Sequence, residues 1–368
     1  MKSKSKKIVC IIAAVFMCCC SLATLVMSIV IKDFDRAIGK DHPFNALFYT
    51  MFGISNSVMM KDFVYNSESS VYRLKNGSLA YANEYVDVSV YEDELKEFDE
   101  YLSDLGVEFS YVITAESGDE RLNQLPFWVE TNYCEQVTNE LISVLKKNNI
   151  EYVETFKTLN GGSRDYYDYF YKTDHHWNDY AGVLLAQEIS EHLNNEYALG
   201  INSSLFNESN YKVKTYKNTF LGSCGKKTGI GYVLPEDFDL LIPKYDTNFK
   251  VDYGDEIAEG EYFKSILYED YLKNNPYYVN CYATYLRADK PIISVKNLNC
   301  NNGKRLLVLK DSKANVINAH LASGVEYLDI IDLRHYKKSL KKYIEKTMPD
   351  VVLTIYSPFN TGAFYDFD

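Results

Sequence analysis

A carboxylate and two imidazoles stand together in Asp174-His175-His176-Trp177-Asn178, just before a stretch with helical spacing. In an extended segment, residues two apart point the same way, so Asp174 and His176 are expected to share a face and His175 to turn to the other. Asp174 can then hold one ring nitrogen of His176 while the other accepts a hydroxyl proton. That hydroxyl is expected from Ser312, which lies between the apolar run Arg305–Lys310 and a helix-like stretch. A serine at such a junction is exposed, and the free amides beside it, its own included, can hold an oxyanion. Ser312, His176 and Asp174 therefore read as nucleophile, general base and orienting carboxylate. The plainer reading makes Asp311, Ser312, Asp174 or Asn178 helix caps and nothing more. No metal and no cofactor is expected, because adjacent histidines in a strand diverge and no third ligand is in view.

These residues need a scaffold that brings the middle of the chain to its end. Asp93–Leu105, Val137–Lys147 and Asn178–Leu193 carry helical periodicity, while Val107–Thr114 and Glu151–Phe156 read as strands. The pattern is clearest in strand Arg305–Lys310, helix Ser312–Ala322, strand Glu326–Ile331, helix Leu340–Lys346 and strand Val351–Tyr356. Alternation of this kind predicts an α/β fold with a mostly parallel sheet covered on both faces, whose ligands bind beyond the carboxyl ends of the strands. Asn76-Gly77 between Val71–Leu74 and Ser78–Tyr81 predicts an opening β-hairpin. Residues 202–301 are Tyr-, Asn- and Gly-rich and read as a β-rich insertion on the rim, whose tyrosines (Tyr262, Tyr268, Tyr271, Tyr282 and Tyr285 among them) offer stacking surfaces for sugar rings.

The chain has 39 basic and 51 acidic residues, a net charge of −12, which repels phosphate backbones and argues against nucleic acid as a partner. Residues 8–31 contain neither charge nor proline, enough for one transmembrane helix. Lys2, Lys4, Lys6 and Lys7 precede it, so residues 1–7 are expected in the cytoplasm of a bacterial cell, 32–70 as an external stalk that could lie on the outer leaflet, and 71–368 as a single-pass extracytoplasmic domain. A cleaved signal peptide at Ser21-Leu22-Ala23 and a lipoprotein signal at Cys18, Cys19 or Cys20 are the alternatives, but the apolar run continues past both. Outside the membrane Cys134, Cys224, Cys281 and Cys300 allow up to two disulfides, with no pairing implied.

Taken with Lys310-Asp311-Ser312 and Asp332-Leu-Arg334-His-Tyr336 downstream, the string Asp174–Asn178 resembles the bacterial DHHW protein family, itself similar to the SGNH-hydrolase-like domains of alginate O-acetylation proteins. The resemblance covers Val71 to the C-terminus. It implies a three-layer, flavodoxin-like SGNH fold and serine-dependent O-acyl transfer, usually of acetyl, onto cell-surface or secreted polysaccharide. It also implies that a membrane-bound O-acyltransferase delivers the acyl donor. Ser312, His176 and Asp174 take the roles given above, in the permuted order similar to the alginate acetylation group. Arg334 and Tyr336 are expected to line the same sheet edge and contact substrate. Asn315, one helical turn from Ser312, is the candidate side-chain oxyanion donor. With water as acceptor the same residues would make a carbohydrate O-acetyl esterase. Outside the enzymes, the alternative is a polysaccharide-binding or assembly protein with a vestigial triad. Asp-His-His also resembles the metal-binding signature of the DHH phosphoesterases, but that family's further aspartates and Gly-rich His motif are not recognisable.

Overall fold

Asn76-Gly77 reverses the chain where a hairpin was expected: Gly77 has φ +86° and the Asn76 carboxamide accepts from the Ser78 amide at 2.9 Å. In this computed structural model, which describes residues 43–367 apart from 67–68, 274–278, 361 and 363–364, β1 (Phe63–Val64), β2 (Val71–Arg73) and β3 (Leu79–Tyr81) form a small antiparallel sheet. Of the first 42 residues only 15, 18, 19 and 22 are described, so the expected membrane span at 8–31 lies outside the described residues apart from those four positions. Among the described residues no helix is long and apolar enough to cross a membrane.

The main sheet follows from the short apolar runs. Its parallel part comprises β4 (Glu108–Ile113) and β5 (Glu151–Glu154), then, after the β6 (Tyr211–Phe220) and β7 (Glu236–Pro243) ribbon, strands near the C-terminus. Between them β8 (Phe249–Asp252), β9 (Ile257–Gly260) and β10 (Ile292–Asn297) come from the insertion. The last three are β11 (Arg305–Lys310), β12 (Tyr327–Ile331) and β13 (Val351–Tyr356). Their order is β5-β4-β13-β11-β12-β10-β8-β9, parallel from β5 to β12 and antiparallel beyond. The sheet is thus mixed, and the insertion extends it rather than merely decorating its rim. Strands β8 and β10 bury alternate residues, which lets antiparallel strands keep one wet face. That alternation lasts four to six residues in a polar stretch and is invisible as a run.

Two apolar layers cover the parallel strands. Leu306, Val308 and Leu353 face helices Asp179–Tyr197 and Ala314–Leu321 with Leu185, Ile189 and Val316. Leu307, Leu309 and Val352 face the opposite layer, with Leu95, Leu141 and Ile344 from helices Glu92–Asp104, Cys134–Lys147 and Leu340–Thr347. Alternate side chains of one strand therefore serve different layers, as a doubly covered sheet requires. Cys134, Cys224 and Cys281 are buried and unpaired, and burial pushes the Cys281 thiol up to about 11. Cys300 is free as well.

Candidate active site

Strand β11 delivers Ser312 to the carboxyl edge of the sheet. The helix expected from Ser312 starts at Ala314, because Asp311 holds the intervening turn. The Asp311 carboxylate accepts from the Lys313 amide (2.9 Å), the Ser357 amide (2.9 Å) and the Asn360 carboxamide (2.6 Å). Burial raises its pKa, opposed by the charge of Lys313. Asp311 is therefore more than a cap, since it ties the turn after β11 to the turn after β13. Ser312 stays half-exposed. Among the described residues no acceptor takes its backbone N–H, which leaves that donor available to a developing oxyanion.

The imidazole comes from a turn, residues 172–176. The half-buried carboxylate of Glu236 at the start of β7 pins it, accepting from the Lys172 amide (2.9 Å), the Thr173 amide (2.7 Å) and the Thr173 hydroxyl (2.6 Å). Burial pushes the Glu236 carboxyl up to about 6. His176 Nδ1 lies 2.7 Å from Asp174 Oδ1, and His176 Nε2 lies 2.8 Å from Ser312 Oγ. Burial alone would raise the Asp174 pKa, but the two imidazoles outweigh it and hold the carboxyl well below the usual range. An ionised carboxylate can only accept, so the ring proton sits on Nδ1 and Nε2 is free to take the Ser312 proton.

His175 does not face away as the extended-strand argument required. Its Nδ1 reaches Asp174 Oδ1 at 2.9 Å and Ser223 Oγ at 2.8 Å, and its ring lies against His176 with centroids 3.8 Å apart. The segment is a turn, so the two-residue periodicity of a strand does not apply. Asp174, His175 and His176 offer donor atoms within 4.8 Å of one another, yet these atoms meet each other rather than a common centre: His176 Nδ1 meets Asp174 and its Nε2 meets Ser312.

Two contacts lock the halves of the site together. The Trp177 indole N–H donates to the Lys313 carbonyl at 2.6 Å, so residues 176 and 177 engage 312 and 313 as adjacent rungs. Tyr282 stacks on the His176 ring (centroids 4.0 Å, planes 18° apart) while its hydroxyl donates to the same carbonyl at 3.2 Å. Behind them, Asp179 and His320 pair at 2.5 Å, fully buried, between the helices that follow His176 and Ser312. Gly182 lets those helices close, since a Cβ there would come 2.5 Å from Val316 Cγ2.

The other expected site residues are placed differently. Asn315 is buried and its Nδ2 donates to Asp289 Oδ1 at 3.0 Å, so that amide is committed to a carboxylate rather than turned toward an oxyanion. Arg334 binds Asp332 (2.6 Å) and Asp289 (3.1 Å), and Lys310 pairs with the same two carboxylates. Arg334 is half-buried at the sheet edge, and those carboxylates hold its pKa above its ordinary value against the opposing effect of burial. Tyr336 packs edge-on against Tyr343 in the layer with Leu340 and Ile344, partly buried. Tyr262, Tyr282 and Tyr285, by contrast, are fully buried, so they are core rings and cannot stack on a sugar.

Sequence reading missed Ser223, whose amide donates to Asp174 Oδ2 at 2.7 Å. It also missed Gly222 and Glu236, and it gave Tyr282 a sugar-stacking role in place of its contact with His176. All four sit in the insertion and reach the site only through long-range contacts. Gly222 has an ordinary φ of −74°, so its lack of a side chain serves space alone: a Cβ would overlap Asp174 Cβ and Oδ2. Gly222→Ala should displace Asp174 and cost about 1–3 kcal/mol. A chemical denaturation midpoint that falls together with any Ser312-dependent activity would bear this out, and an unchanged variant would refute the close fit.

Residues 76–229 match the family described as "SGNH hydrolase-like domain, acetyltransferase AlgX", a stretch that includes Asp174 and His176 but not Ser312. Among solved structures, PatB1 from Bacillus cereus carrying a sulfonyl adduct is similar at a TM-score of 0.68 and 22% identity, over 82% of this chain and 99% of that one. A second PatB1 structure from the same organism gives 0.66 and 23%, over 82% and 100%. A DHHW family protein from Eubacterium siraeum gives 0.61 and 19%, over 83% and 96%. Comparison with curated protein sequences returned no match. The likenesses to solved structures show the α/β fold, and the family matched over residues 76–229 agrees with the SGNH-like resemblance noted from the motifs.

Proposed function

We propose that this chain is a serine-dependent O-acyltransferase, acting through an acetyl-enzyme on the hydroxyls of a cell-surface or secreted polysaccharide. The observation that carries the reading is the unbroken relay Asp174–His176–Ser312, with contacts of 2.7 and 2.8 Å. His176 Nε2 takes the Ser312 proton as Oγ attacks the acyl carbonyl carbon, and the Ser312 amide receives the oxyanion. Collapse expels the donor's leaving group, which takes the proton from His176. A sugar hydroxyl then gives its proton to Nε2 and attacks the acyl-serine; collapse breaks the bond to Oγ, which takes the proton back from Nε2, so the sugar ester leaves and Ser312 is restored. One oxyanion donor of this kind is worth about 3–4 kcal/mol of barrier, comparable to a large part of the relay's own effect.

The similarity of residues 76–229 to an acetyltransferase family supports acetyl as the group moved. The uncharged run at 8–31 supports attachment to the bacterial membrane with the domain outside, and a membrane-bound O-acyltransferase is the proposed source of acyl groups. Because Ser312 is half-exposed, water can reach the same carbon, which makes hydrolysis by a carbohydrate esterase the second reading. Incubating the protein with an activated acetyl ester and an oligosaccharide separates the two. Acetylated sugar by mass spectrometry is the expected result; free acetate alone would establish the esterase, and neither product would overturn both.

A further inference from the structure

Pro43–Val58 is a helix without a single charged residue, and the uncharged stretch runs on to Met60. One side is docked on the domain. Phe52 is fully buried with Val64, Val71 and Tyr232, Asn56 Nδ2 donates to the Thr228 carbonyl at 3.0 Å, and Gly53 sits so close to Gly229 and Ile230 that any Cβ would overlap their backbone. The outward side carries Met51, Ile54 and Val58, spaced three and four residues apart, which puts them on one stripe. They are 53%, 51% and 47% exposed, and Met60 just beyond is 87% exposed. A helix on a water-facing surface turns its polar side out. Here Ser55 and Asn56 are buried, and the apolar stripe faces outward with Ser57 the one exposed polar side chain among residues 51–58.

We propose that this stripe rests on a lipid bilayer, with Met51, Ile54 and Val58 at the boundary of headgroups and acyl chains. Two observations select lipid over a second copy of the chain. The membrane-length run at 8–31 ends eleven residues before the helix begins, and a fully extended linker of that length spans at most about 40 Å, so the helix cannot stand far from the bilayer. The stripe is also small. A stable dimer buries roughly 800 Å² per partner, more than three partly exposed side chains offer, whereas an interfacial helix needs only a shallow apolar face.

The proposal rests on the membrane reading given above and deepens it. The helix docks on Ser223–Thr228, the short helix whose Ser223 supports Asp174 and His175. Membrane contact and relay thus share one support, which would hold the serine site beside the surface from which a membrane-delivered acyl group arrives. The stripe carries no charge while the whole chain carries −12, so the contact should come from apolar burial and be indifferent to anionic lipid.

The test uses the full chain reconstituted into phosphatidylcholine vesicles containing brominated acyl chains, with and without phosphatidylserine. Met51→Trp, Ile54→Trp and Val58→Trp are made singly, with Val213→Trp as control, since Val213 is comparably exposed but lies on the β6 ribbon rather than on the stripe. The expected result is loss of most of the added tryptophan emission at the three stripe positions and none at residue 213, equally in both lipid mixtures. Protein that floats with the vesicles but shows no excess quenching at the stripe overturns this inference alone. An emission change that tracks protein dilution without quenching overturns it in favour of self-association. Protein that fails to float overturns the membrane reading as well.

Discussion

Ser312→Ala should abolish labelling by a sulfonyl fluoride and reduce acyl turnover on the order of 10⁶-fold, the scale seen when a relay nucleophile is removed. The fold should not follow, because the side chain is half-exposed and the turn is held by Asp311 and by the backbone bond from the Asn315 amide to the Ser312 carbonyl. The denaturation midpoint should move by no more than about 0.5 kcal/mol in free energy. Intact-mass spectrometry reads the adduct directly, and PatB1 has been seen with a sulfonyl adduct, which recommends the probe. Adduct formation in Ser312→Ala equal to that of the unaltered protein would remove the hydroxyl from the mechanism.

Asp174→Asn should lower turnover by roughly 10⁴-fold with the hydroxyl and imidazole both present. This carboxylate sits among donors: the His176 amide (3.0 Å) and His176 Nδ1 (2.7 Å) on Oδ1, with His175 Nδ1 (2.9 Å) and the Ser223 hydroxyl (3.4 Å) beside them, and the Ser223 amide (2.7 Å) on Oδ2. A carboxamide must turn its NH₂ toward one of them. Turned to His176, it demands a lone pair on Nδ1, which moves the ring proton to Nε2 and disables the base. Turned to Ser223, it opposes a backbone N–H that has no other acceptor among the described residues, at a cost of about 1–3 kcal/mol. His175→Ala in parallel should slow the reaction only about tenfold, since it removes a bond to Asp174 without touching Ser312. Sulfonylation rates for the two variants give the comparison, and a slower His175→Ala than Asp174→Asn would mean that the wrong imidazole has been assigned the proton transfer.

Acid should weaken the same support. Because the folded-state pKa of Asp174 is depressed, the stability it contributes is fully present above the ordinary carboxylate value near 3.9 and is lost as pH falls below it.

Much of this was legible without coordinates where the chemistry is local. Arg305–Lys310 and Val351–Tyr356 are strands with the expected ends, because each is an unbroken run able to be buried on both faces. Asn178 caps the helix after the histidines, its carboxamide accepting from the Tyr180 and Ala181 amides, as its position and type suggested. His175 departs from the strand expectation because two-residue periodicity does not hold in a turn. Helical spacing alone points Asn315 toward an oxyanion, but spacing is blind to Asp289, which arrives from the insertion to claim its amide.

What the residues themselves determined is the supply of parts: a proton-accepting ring beside a carboxylate, a serine at a strand's end, and strands short and apolar enough to bring the two ends of the chain into one sheet. Tertiary structure alone decided which atoms meet. The Trp177 and Tyr282 contacts to the Lys313 carbonyl, the cradle that Gly222 leaves for Asp174 and the closure at Gly182 all join residues far apart in sequence. No local pattern encodes such contacts, because each depends on the shape of a partner that the chain supplies only after it has folded.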